Sequence, residues 1–142
     1  MPCLTIVTGA AGFAGSHLLD LLRQPGAELV AWHRPGGTEP PAMDGVRWHR
    51  VDMLDRESVR DTIRSVRPDH VYHCAGAAHV GQAWDTSTKT LAVNVLGTHH
   101  LVEALRDLAP EARVFNPSSA LVCHTTPTRR SPGLPPGLRP AS

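Results

Sequence analysis

No apolar run in the sequence approaches the roughly 18 residues of a membrane-spanning helix, and Leu4 opens the first apolar stretch with neither a basic segment nor a cleavage site before it. The expectation is a soluble, cytoplasmic protein. Strong charge is missing too. Fourteen Lys and Arg against thirteen Asp and Glu leave a formal net charge of +1, too weak a field to make nucleic acid or an anionic membrane the main partner. Cysteine is scarce: Cys3, Cys74 and Cys123 form an odd set without metal-ligand spacing. Each stands beside apolar residues in an expected strand, so all three read as small buried hydrophobes. Internal repeats are absent. No acidic residue follows Glu111, and the segment 124–142, "HTTPTRRSPGLPPGLRPAS", has five prolines in nineteen residues. It cannot bury enough apolar surface to offset its ordering entropy, so a flexible tail is expected there.

What is present is a chain of 142 residues, long enough for a single domain that buries roughly 68–70% of its unfolded surface. Short apolar runs at 3–9, 27–32, 46–51, 69–76 and 112–119 read as strands, and helix-period segments fill most of the gaps. Phe13, Leu18, Leu19 and Leu22 form one apolar face, stopped by Pro25-Gly26. Val59, Ile63 and Val66 form another, beginning near Asp55 and ending at Pro68. A third helix over about 85–108 carries Leu91, Val95, Leu101, Val102, Leu105 and Leu108. "RPGGTEPPAMDG" (34–45) is too rich in Pro and Gly for a full helix. Alternating strands and helices predict an α/β fold, a Rossmann-type doubly wound parallel sheet in three layers, because right-handed crossovers return each helix to the sheet. The expected organisation is a domain over 1–123 that stops after about the fifth strand, followed by the tail 124–142.

"TGAAGFAGSHLL" (8–19) places Gly9, Gly12 and Gly15 between an expected strand and an expected helix. In that setting the first glycine permits a tight turn and the second lets a pyrophosphate approach the backbone. The third permits close helix–sheet packing. The helix N-terminus adds free N–H groups and about half a positive charge. The bland alternative is a tight turn that binds nothing. A P-loop is disfavoured, since Ser16-His17 stands where such a loop has Lys followed by Ser or Thr. The sites of interest, the 9–15 loop, 33–34, 52–53, 75–77 and 118–119, all fall at the carboxyl ends of expected strands, the ligand-binding edge of an open α/β sheet. Nine histidines invite a metal reading that their spacing opposes. His70 and His73 are three apart on a strand and face opposite sides, while His99 and His100 are adjacent on a helix and diverge.

Together "TGAAGFAGSHL", "VDMLD" (51–55), "PDHVYHCAGAAHVGQAW" (68–84), "LAVNVLGTHHLVEAL" (91–105) and "ARVFNPSSALV" (112–122) resemble the N-terminal half of an extended short-chain dehydrogenase/reductase, near the sugar-nucleotide epimerases, dehydratases and 4-keto reductases. The resemblance implies an NAD(P)-dependent enzyme acting on a nucleotide sugar, with a homodimer for the complete enzyme. It places cofactor contacts at Gly9, Gly12, Phe13 and Gly15. His33 stands about where the family has an acid for the adenine ribose, and Arg34 follows it. Since a guanidinium pairs with a 2′-phosphate, the cofactor expected is NADP, with NAD as the alternative. Asp52 matches the acceptor of the adenine amino group, with Met53 covering the ring, although a plain loop cap would also account for Asp52. Ala75, Gly76 and Ala77 match the turn under the nicotinamide half. Asn94 matches the residue that fixes that turn, a helix-surface position being the alternative. Ser119, beside Ser118, matches the catalytic hydroxyl on the reacting sugar oxygen. Ala120 and Leu121 stand where dehydratases usually have an acid, which favours an epimerase or a keto-reductase. His79, Val80 and Trp84 look most like the segment in GDP-mannose-related members, pointing to a GDP-deoxyhexose.

The family's Tyr-x-x-x-Lys pair has no counterpart: the one tyrosine is Tyr72, inside the fourth strand, and the one lysine is Lys89. "VCH" (122–124) replaces the usual Val-Tyr-Gly, and "TPTRRSPG" replaces an acidic loop. The expectation is a cofactor-binding portion that catalyses nothing alone. The rivals are a non-catalytic dinucleotide-binding or redox-sensing module and the product of a truncated gene.

Overall fold

The computed structural model describes residues 3–37, 39–76 and 87–118. The chain runs through Leu4–Thr8 (β1), Phe13–Leu22 (α1), Glu28–His33 (β2), Val46–Arg50 (β3), Arg56–Val66 (α2) and His70–His73 (β4). A long helical stretch follows, made of Ser87–Leu91 (α3), a π-helical segment Ala92–Gly97 and Thr98–Leu108 (α4), before Arg113–Phe115 (β5). The strands pair in the order β3-β2-β1-β4-β5 and every pairing is parallel. The order reverses between β1 and β4, which opens a crevice at their carboxyl ends.

Alternation along each strand divides the core in two. Ile6, Val30 and Val71 face α2 and α4, where Val59, Ile63, Leu101 and Leu105 close over them. Val7, Leu29 and Ala31 face the opposite way, onto Leu19 of α1 with Leu18 and Leu22 at its flanks. Burying an aliphatic side chain is worth about 1.5–3 kcal/mol, so these two layers are the main drive to fold. α2 starts where Asp55 Oδ1 accepts hydrogen bonds from Glu57 N and Ser58 N, and it ends at Arg67 in the left-handed region. At the surface Arg56 donates two hydrogen bonds to Glu103, and Arg60 donates one to Asp107, tying α2 to α4. Residues 34–37 and 39–45 link β2 to β3 without a helix, as the Pro and Gly content foretold.

Three expectations are corrected. Phe13 does not join the apolar face of α1; it is 85% exposed at the first turn, ahead of the point where the helix meets the sheet. The apolar residues of the third helix divide into two stripes. Leu101, Leu105 and Leu108 pack inwards, while Leu91, Val95 and Val102 are exposed, because neighbours such as Leu101 and Val102 lie about 100° apart on a helix. Cys3 is exposed, its Sγ 2.9 Å from His70 Nδ1, because it precedes β1 and lies outside the core. Cys74 is half-buried and burial pushes its thiol up; Cys123 lies outside the described residues.

Candidate functional site

The carboxyl edge of the sheet is built around the 9–15 loop. Gly9 has φ +63°, a region that favours glycine, and its amide plane turns the chain so that Ala10 N donates to Trp32 O and Gly12 N to Gly9 O. The three glycines differ in what the fold asks of them. A Cβ on Gly9 would lie 2.6 Å from Ala75 N and from Cys74 O, so this residue lets β1 and β4 close at the crevice. One on Gly15 would lie 2.4 Å from Gly9 O, so this residue lets α1 sit down on the loop. One on Gly12 would meet only Gly9 O, at 3.2 Å, and Gly12 has ordinary extended angles with φ −83°. Little inside the protein therefore requires glycine at 12. Gly12 is also the N-cap of α1, has no side chain to cap the helix and is exposed, so the first N–H groups of α1 remain open to a ligand on that side.

At the end of β2 the His33 side chain is buried, set edge-on to Trp48 with ring centroids 6.0 Å apart. Its Nδ1 has no hydrogen-bond partner among the described residues. Arg34 is exposed and carries no ion pair among those residues. Asp52 follows β3 and is exposed; its Oδ1 accepts from Leu54 N at 2.9 Å, so it does cap its own loop, with Oδ2 still open. Met53 is drawn into the core at 8% exposure, beneath Gly97, where a Cβ would stand 3.0 Å from Met53 Cβ. Only a small part of the Met53 side chain is thus on offer to a ring.

The fourth strand is followed by Cys74-Ala75-Gly76, and a Cβ on Gly76 would lie 3.2 Å from Asn94 Oδ1. Asn94 sits in the π-helical segment, so the structure brings together the two residues that the family pattern links. Sequence reasoning passed over the polar groups beneath them. Thr8 Oγ1 is 2.7 Å from His73 Nδ1, His73 Nε2 is 2.9 Å from Thr98 Oγ1, and Thr98 Oγ1 donates to Asn94 O. Thr8 also accepts from Ala75 N. The available signal was a Thr and a His at the last positions of Leu4–Thr8 and His70–His73. Ala77, His79, Val80, Trp84 and Ser119 lie outside the described residues, while Asn116 to Ser118 are exposed just past β5.

A parallel 3-2-1-4-5 sheet with a glycine loop between its central strand and first helix is a Rossmann-type domain. The model of the NAD dependent epimerase/dehydratase family matches residues 5–134, and the chain belongs to that family. A GDP-mannose 4,6-dehydratase of Sordaria araneosa is 34% identical over 118 residues, covering 80% of this chain and 22% of the relative. The GDP-6-deoxy-D-mannose reductase of Pseudomonas aeruginosa is 37% identical over 100 residues, covering 70% and 28%. The UDP-glucose 4-epimerase of Thermus thermophilus, solved as a complex with NAD, superposes with a TM-score of 0.69 at 36% identity, covering 78% of this chain and 36% of that one. The chain thus spans between about a fifth and two fifths of the length of these proteins. Among the described residues no helix is long and apolar enough to cross a membrane.

Proposed function

We propose that this chain is the NAD(P)-binding portion of a sugar-nucleotide epimerase or 4-keto reductase. The observation that carries the reading is Gly12: Gly9 and Gly15 are occupied in building the fold, whereas Gly12 leaves bare backbone facing outwards beside an uncapped helix start. A pyrophosphate is the group that uses such a place, since it takes the helix N–H groups and needs the side-chain space. Asp52 Oδ2 would then receive the adenine amino group, and Ala75 and Gly76 would leave room for the nicotinamide half beside Asn94, with Ala77 assigned to the same role by the family resemblance alone. Arg34, exposed and without a carboxylate partner among the described residues, suits a 2′-phosphate, so the cofactor is read as NADP with NAD also accepted. A measured preference for NAD in the complete enzyme would overturn that choice.

When bound, the dinucleotide supplies hydride exchange with a sugar carbon. Ser119 binds the reacting oxygen, and the lack of an acid at Ala120 or Leu121 favours epimerisation or keto reduction over dehydration. His79, Val80 and Trp84 favour a GDP-deoxyhexose as the sugar. Tyr72 lies within β4 against Phe115, and Lys89 lies in α3, so neither provides the family's proton-transferring pair. The chain on its own binds dinucleotide weakly and turns over nothing. The binding domain is assigned to residues 1–123, the expected tail over 124–142 lies outside the described residues, and the complete enzyme is a cytoplasmic homodimer. Titration with NADPH, followed by its fluorescence, tests the reading. Saturable binding is expected for the chain, and Gly12→Val should weaken it at least about tenfold with an unchanged circular dichroism spectrum. Binding that survives Gly12→Val intact, or turnover of a nucleotide sugar by this chain, would refute it.

A further inference from the structure

The hydrogen bonds under the Ala75–Gly76 turn form a chain whose proton directions are fixed at both ends. Asn94 O is a carbonyl and can only accept, so Thr98 Oγ1 spends its single proton there, at 2.8 Å. Thr98 Oγ1 therefore accepts from His73, which puts a proton on Nε2 across the 2.9 Å contact. A neutral imidazole with Nε2–H has a bare Nδ1, and Thr8 Oγ1, 2.7 Å away, donates to it. At the far end Ala75 N–H can only donate, and Thr8 Oγ1 accepts it at 3.1 Å. Each member is satisfied in one arrangement, and that arrangement joins β1, β4 and the π-helical segment at the point where the crevice opens.

We propose that His73 is a positioning residue: as its neutral Nε2–H tautomer it locks the Ala75–Gly76 turn to β1 and to the segment carrying Asn94, and protonation of its ring unlocks both. A protonated ring donates from both nitrogens. Thr8 Oγ1, which is fully buried, would then have to accept from Nδ1–H and from Ala75 N–H together, leaving its own hydrogen without an acceptor. The groups facing the ring are hydroxyls, Thr8 from β1 and Thr98 from α4. Among the described residues no charged group is turned towards it, and burial alone pushes the imidazole below the ordinary histidine range. The consequence for a ligand rests on the dinucleotide reading above, in which this turn lies under the nicotinamide half.

The experiment has two arms, both on the full chain. Nitrogen-detected NMR of the imidazoles without ligand reads the tautomer, and acidification reads the coupling. The expected result is Nε2–H at neutral pH, with the Ala75 and Thr98 amide signals shifting at the same midpoint as the His73 ring. An Nδ1–H tautomer, or a ring transition to which Ala75 is indifferent, overturns the lock. In the second arm NADH and NADPH binding is followed across that transition. Affinity should fall about tenfold as the ring protonates in the wild type and stay level in His73→Gln, the order expected when one buried partner is lost. Thr98→Val should lose about as much at neutral pH, and Thr98→Ser should restore it. A His73→Gln profile identical to the wild type overturns the positioning role. Absence of binding at neutral pH, with the NMR result as expected, overturns the dinucleotide reading and the positioning role with it, and leaves the lock established.

Discussion

At the scale of single residues, the three glycines of one motif carry different burdens, and stability measurements can separate them from binding. Gly9→Ala and Gly15→Ala each force a Cβ to within 2.6 Å or less of backbone, and at Gly9 also oppose a positive φ. Each should cost more than about 2 kcal/mol, read as a lowered urea midpoint. Gly12→Ala meets one atom at 3.2 Å and should cost within about 1 kcal/mol. A second prediction concerns pH. Burial lowers His73, and burial with the nearby Arg47 charge lowers His49, relative to 6.5 in the unfolded chain. The unfolded state therefore takes up protons first on acidification. Stability is complete above the unfolded value and declines as pH falls from 6.5 towards the lowered folded values. His73→Gln should flatten that decline in denaturant titrations; an unchanged slope would remove His73 as its source. Of the residues at this edge, Gly9, Gly12, Gly15, Asp52 and Asn94 were legible because a local pattern marks them. Thr8, His73 and Thr98 were not, because their significance depends on β1 and β4 pairing in register with Thr8 opposite His73. No local window of sequence holds both.

At the scale of elements, the sequence was most informative where punctuation is chemical. Asp55 was expected to begin α2 and does so by accepting from two backbone N–H groups at 3.1 Å. Asp55→Ala should destabilise the chain by about 1 kcal/mol, measured as a shift in the urea midpoint without a change in its slope; an unchanged midpoint would mean that water replaces the cap. Pro68 and the Pro-rich 34–45 stretch likewise marked ends and breaks correctly. Apolar content without punctuation was less reliable. The third helix carries enough Leu and Val to suggest one wide face, but only the stripe through Leu101 and Leu105 is covered, and the π-helical turn at 92–97 left no compositional trace. A π turn is set by what the helix must pack on. Here that includes Met53 beneath Gly97 and the hydroxyl of Thr98 directed at Asn94 O.

For the whole molecule, the parallel, doubly wound sheet was expected from alternation of strands and helices together with the handedness of crossovers, whereas the order β3-β2-β1-β4-β5 is known from the pairings themselves. The expected stop after about the fifth strand is met among the described residues, where β5 has only β4 beside it and all three of its residues are exposed. Val114 and Phe115 on that edge should make the chain associate as concentration rises, and Val114→Lys should delay the onset seen by light scattering. The position of β1 has a further effect, on the order of events during synthesis. The earliest of the five strands to be synthesised, β1, is the central one, flanked by β2 and by β4, whose His70 pairs with Thr5. Its β2 side can be covered after a few dozen residues. Its other side, with the Gly9 turn at the tip, waits for a segment 65 residues further on. The nascent chain therefore passes through a stage in which its middle strand is half-zipped, and the crevice between β1 and β4 is the last part of the sheet's centre to come into being.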